Sequence, residues 1–218
     1  MPYTKLKRRL DAGDIIILDG ATGTELQRRG VDMDPSAWCG VASLANQQTL
    51  SEIHGDYIAA GAEVITANTF ASSRVVLNQA GYGDKVVEIN RAAVEAALRA
   101  RDTAALNDVV VAGSLSHMVY LSSGRVETPG EAPSEEEAAE AFREQARILK
   151  DAGVELLLLE MMYHPTRTSK VVEAALATGL PVWFGLSARR GADGSLLSFY
   201  EHAEIPLAEI VKLIPQAG

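Results

Sequence analysis

Two runs in the chain, residues 15–18 and 154–159, are too apolar to lie anywhere but in a buried strand, and each is followed at once by a carboxylate. Asp19 closes the first, in IIILDG, and Glu160 the second, in VELLLLEMM. An acid at the end of a buried strand is costly unless something polar or cationic meets it. If both runs lie parallel in one sheet or barrel, the two acids share its C-terminal rim, where α/β proteins carry their chemistry. The pair therefore predicts a ligand with positive charge.

The elements between these runs support the parallel arrangement. Strands are expected at 15–18, 63–69, 109–112, 154–159 and 182–186. Helices are expected at 4–12, 24–29, 46–60, 84–101, 135–150, 166–178 and 206–214. Ser134 ahead of Glu135, Glu136 and Glu137 reads as a capping box at the start of one of these helices. Gly113-Ser114 reads as the exit of the third strand, and Gly191 and Gly194 mark a loop. Residues 119–134 read as a long loop at the site or on the surface. Strand and helix alternate about five times, which means parallel βα units in an open sheet or a β/α barrel. The segments YIAAGAEVIT (57–66) and LKDAGVELLLL (149–159) repeat one layout: helix end, Ala-Gly, one residue, Glu, apolar strand. The chain finishes on LIPQAG, the same signal without its strand. The expectation is a barrel domain over 1–218 that stops before a sixth strand. Its open edge would need cover from a partner copy in a homo-oligomer, a swapped segment or a C-terminal half.

Composition narrows the partners. With 20 basic and 29 acidic residues the net charge is −9, which argues against nucleic acid and anionic membranes. No apolar stretch has the length of a membrane span and no signal peptide is seen, so a cytoplasmic protein is expected. Cys39 is the sole cysteine. No HExxH, CxxC or Ser-His-Asp arrangement occurs, and DGATGTELQ is neither a P-loop nor a dinucleotide fingerprint. Gly20 and Gly23 let that turn approach a ligand closely, and Thr22 and Thr24 add hydroxyls. Other strand ends offer Thr66 and Asn68, Ser114, and Ser187. His117 and His164 also follow strands and are candidates to approach a ligand. A rim of short polar groups around two acids suits an amino-acid ammonium better than a phosphate. The competing structural reading is that Asp19 caps its turn and that Glu160 pairs with a buried Arg or backbone N–H groups.

The segments ILDGATGTELQRRG (17–30), AGAEVITANTF (60–70), VVAGSL (110–115) and DAGVELLLLEMM (151–162) resemble the homocysteine S-methyltransferase family, in register along the whole chain. The resemblance implies a (β/α)8 TIM barrel, of which about the first five βα units are present. It implies methyl transfer from a small donor to the thiol of homocysteine, giving methionine. The homocysteine-binding acids of the family correspond to Asp19 and Glu160, with Asn68, Ser114 and Thr24 completing the polar rim. The family holds zinc with one cysteine in an Asn-Cys motif after the sixth strand and two in a Gly-Gly-Cys-Cys motif near the eighth. Neither motif occurs here, and Cys39 matches no ligand position, so zinc is expected for the intact fold with its ligands absent from these 218 residues. The alternative is an inactive homologue acting as a binding or structural protein.

Overall fold

The computed structural model describes residues 2–105, 108–119, 133–200 and 203–215. In chain order the elements are α1 (Pro2–Asp11), α2 (Thr22–Arg28), α3 (Ala42–Ala45), α4 (Gln47–Ala59), β1 (Val64–Ala67), α5 (Arg74–Gln79) and, after a 3-10 turn at Gly83–Lys85, α6 (Val86–Thr103). They continue with β2 (Val110–Ser116), α7 (Glu135–Ala152), β3 (Leu156–Met162), α8 (Arg167–Leu176), β4 (Val182–Leu186), β5 (Ala188–Arg190), β6 (Leu196–Ser198) and α9 (Leu207–Val211).

Strands β1 to β4 pair in parallel in their sequence order, with α6, α7 and α8 between successive strands. Parallel neighbours need such crossovers, and the helices cover one face of the sheet. On that face Ile65, Val111, Leu115, Leu157 and Leu159 pack against Val94, Phe142, Leu149 and Val171. On the other face Val64, Val110, Ala112 and Leu156 meet Leu6 of α1, with Tyr3 and Trp183 at the margin. Burial on both faces is why these strands read as continuous apolar runs rather than alternating ones.

The repeated layout is real at atomic level. Gly61 and Gly153 both take left-handed backbone, with φ of 105° and 100°. The next amides, of Ala62 and Val154, reach back to the carbonyls of Tyr57 and Leu149, a glycine-closed helix end in each case. Then Glu63 accepts the amide of Ile17 and an Arg9 hydrogen bond, while Glu155 accepts the amide of Val111 and pairs with Arg101. Each glutamate thus ties its strand to the preceding one at the sheet's N-terminal end.

Several expectations are corrected. Residues 15–18 form no regular strand. They lie beside β1 through one parallel bridge, Leu18 to Val64, because nothing pairs with their outer edge among the described residues and Ile15 is 80% exposed. Gly113-Ser114 is not an exit loop but the middle of β2. Gly113 is there because a Cβ would sit 3.0 Å from Leu149, so the glycine marks close packing rather than a turn. β3 runs past Glu160 to Met162, with a register irregularity between Leu159 and Met162 where Met161 adopts φ 56°. The expected loop around Gly191 and Gly194 is an antiparallel hairpin, β5–β6, whose Asp193-Gly194 turn has Gly194 at φ 84°. The short helices α3 and α5 were not foreseen, and α9 ends at Val211. Most of the loop expected at 119–134, the terminal Ala-Gly and His202 lie outside the described residues.

Candidate active site at the strand ends

Asp19 leaves the extended segment beside β1 and is held by the next strand. Its carboxylate accepts the Thr66 amide at 2.6 Å and the Thr66 hydroxyl at 2.9 Å. Glu160, on β3, accepts the hydroxyl of Ser114 from β2. The two acids open on one pocket of about 410 Å³, whose wall includes Gly20, Thr22, Gly23, Trp38, Cys39, Thr66, Asn68, Phe70 and Met161. A larger hollow of about 840 Å³ lies between α5 and α7. It contains neither acid, and its Arg74 is already paired with Glu144 through two contacts of 2.6 Å.

The electrostatics follow from this placement. Burial pushes Asp19 up to about 6; Thr66 opposes that shift and the charge of Glu160 adds to it. Glu160 is also raised by burial, with the Ser114 hydroxyl pulling the other way. Among the described residues no Lys or Arg pairs with either acid, so both are held by hydroxyl and backbone donors alone. Two partly desolvated carboxylates facing one cavity make it selective for a cationic group.

The near wall owes its shape to glycine. A Cβ on Gly23 would lie 2.7 Å from the Trp38 ring and 2.9 Å from the Cys39 sulfur, and one on Gly20 would lie 2.8 Å from the Tyr57 hydroxyl. Trp38 itself has φ 48°, so two of the three non-glycine residues with left-handed backbone among the described residues, Trp38 and Met161, line this pocket. Such strain gathers where surrounding structure overrides local preference, commonly at ligand sites.

The five residues expected on the rim are not equivalent. Asp19, Glu160 and Asn68 border the pocket. Asn68 is buried, and its amide donates to the Cys39 carbonyl at 2.8 Å and to Ser43 at 3.3 Å, so it secures the wall. Ser114 is buried behind Glu160 and reaches the pocket only through that carboxylate. Thr24 is exposed on α2 and does not border the pocket; Thr22 does. His117 is buried and accepts the amides of Tyr163 and His164, and burial pushes its pKa down to about 3. His164 accepts the amides of Thr166 and Arg167 ahead of α8. Both rings brace the loop after β3 rather than face the acids. Sequence reasoning missed the double anchoring by Thr66, because a threonine does not signal a specific partner.

A model of the homocysteine S-methyltransferases matches residues 16–205. The chain belongs to that family. The Escherichia coli homocysteine S-methyltransferase is 31% identical over 96% of this chain, which spans 68% of that relative. A Zea mays homocysteine S-methyltransferase is 27% identical, with this chain spanning 60% of it. The betaine–homocysteine S-methyltransferase 1 of Danio rerio is 30% identical, with 47% of it spanned. Among solved structures, an Escherichia coli homocysteine methyltransferase in its metallated form superposes on 98% of this chain with a TM-score of 0.72 at 26% identity, and the chain covers 73% of it. Its oxidised form gives 0.74.

The zinc implied by this family does not fit the residues described. No group of three His, Cys, Asp or Glu side chains is placed to hold a metal among them. The single thiol, Cys39, is buried, and burial pushes its pKa up to about 12, the reverse of what a metal-binding thiolate needs.

Proposed function

We propose that this chain binds homocysteine, with the amino-acid ammonium held between Asp19 and Glu160, for transfer of a methyl group from a small donor to its sulfur, giving methionine. In that reaction the donor–methyl bond breaks, a sulfur–methyl bond forms and the thiol proton is lost. The part these residues play is binding and orientation. The carboxylates take the ammonium, Thr66 and Ser114 hold them in place, and the wall built on Gly23, Trp38 and Cys39 bounds the remaining space. The parallel sheet, in this reading, is an arc of a (β/α)8 barrel domain. The observation that carries the proposal is two desolvated acids, neither paired with Lys or Arg among the described residues, opening on one pocket.

Calorimetric titration of the 218-residue chain tests it, comparing L-homocysteine with 4-mercaptobutanoate, which keeps the thiol and carboxylate but lacks the ammonium. Tighter binding of homocysteine is expected. Equal affinity for the two, or no binding of homocysteine, would overturn the assignment.

A further inference from the structure

One short segment at the end of β1, residues 66–69, supplies both the residue that holds Asp19 and a residue that holds Ser114, the partner of Glu160. Thr66 binds Asp19 directly. Three residues on, the Thr69 hydroxyl donates to the Ser114 carbonyl at 2.8 Å and accepts the Ser114 amide at 3.0 Å. One hydroxyl thus grips both peptide groups of the residue whose own hydroxyl meets Glu160. Thr69 is in turn fixed from behind. Its carbonyl accepts Gln145 of α7 at 2.7 Å. Ser72 donates to Asn90 of α6 at 2.8 Å, and Asn90 returns a bond to the Ser72 carbonyl at 2.8 Å. Thr69, Ser72, Asn90, Ser114 and Gln145 are all at most 1% exposed.

A buried polar network of this kind is costly unless its members hold one another, and then it specifies a single geometry. An apolar core would fill the space between β1, α6 and α7 at least as stably. Among the described residues, the network reaches the pocket through Ser114 and Glu160. We infer that Thr69 is a positioning residue for substrate: it sets Ser114, which sets the Glu160 carboxylate against the ammonium. Residues 66–69 thereby fix the spacing of the two acids from one piece of backbone, so the ammonium site is built as a unit.

The inference rests on the ammonium reading above, and the test separates the two. Homocysteine and 4-mercaptobutanoate are titrated into the full chain and its variants, with thermal melts to verify folding. Thr69→Val, which keeps the shape and removes the hydroxyl, is expected to reduce the preference for homocysteine about tenfold, the scale of the neutral hydrogen bonds that hold Ser114. Thr69→Ser restores it. In a Ser114→Ala background Thr69→Val has no further effect, since the relay is already cut. Where Thr69→Val does not fold, Thr69→Ala carries the same outcomes. A parent chain with no preference for homocysteine refutes the ammonium reading. A parent that discriminates, with a folded hydroxyl-less variant that discriminates equally well, refutes the positioning role alone.

Discussion

Glu160 raises the pKa of Asp19 across the pocket that both acids line. Each acid is also lifted by its own burial, and each is restrained by a threonine or serine hydroxyl. The pair is therefore least comfortable when both members are ionised and nothing cationic lies between them. A cationic group placed between them would relieve that discomfort.

Removing one charge shows this most simply. Glu160→Gln preserves size and most hydrogen bonding, yet it is expected to weaken homocysteine binding by ~2 kcal/mol, about thirtyfold. Affinity for 4-mercaptobutanoate should not fall. A loss shared by both ligands would assign Glu160 to the architecture of the wall instead.

Asp19 predicts an unusual pH dependence. Its folded value of about 6 lies above the reference value of 3.8, so the folded chain keeps a proton that the unfolded chain releases. Its contribution to stability is thus lost as pH rises from about 4 to about 6. Asp19→Asn should flatten that part of the stability curve, as read from urea midpoints. Binding an ammonium draws Asp19 toward its ionised form, so homocysteine affinity should climb as pH passes about 6, with proton release near that pH. Titrations in two buffers of different ionisation enthalpy would expose the proton, and an affinity independent of pH there would contradict the assignment.

Gly23→Ala separates local preference from tertiary packing. In an isolated helix the change is favourable by up to ~1 kcal/mol. Here the new methyl meets Trp38 and Cys39 at 2.7 and 2.9 Å, and Trp38 is held in left-handed backbone. Destabilisation of about 1–3 kcal/mol is expected, with weaker homocysteine binding. A raised denaturant midpoint would show that the wall yields easily.

The capping box gives a control outside the pocket lining. The Ser134 hydroxyl accepts the Glu137 amide, and Glu137 accepts the Ser134 amide at 2.8 Å. Ser134→Ala should cost about 1 kcal/mol of stability and leave homocysteine affinity unchanged. A change in affinity would mean that α7 communicates with the pocket, as the contact of Gln145 with Thr69 allows.

Where a feature depends on neighbours in the chain, it was legible. The capping box, the glycine-closed helix ends, the strand at Val182–Leu186 and the two acids after apolar runs all follow from residue order. The Asp193-Gly194 hairpin turn is equally local, although Gly191 and Gly194 by themselves mark only a loop. Features that depend on what lies across the sheet were not legible. Gly113 looks like a strand exit until Leu149 fills the space beside it. Ser114 looks like a rim residue until its hydroxyl turns to Glu160. Cys39, beside Trp38 in a loop and only a lesser candidate to approach the site from sequence, becomes part of the pocket wall because Gly23 admits it.

By itself the sequence determined the parallel βα order, the family and the presence of two costly acids after apolar runs, since periodicity, turn chemistry and charge are carried by the chain in order. Only the tertiary structure decided where those acids meet and what holds them. It placed them on one pocket, gave Asp19 to Thr66 and Glu160 to Ser114, and set Thr69 behind them both. Hydrogen bonds between residues on different strands, and the desolvation that shifts a pKa, come into being only when the sheet brings those groups together.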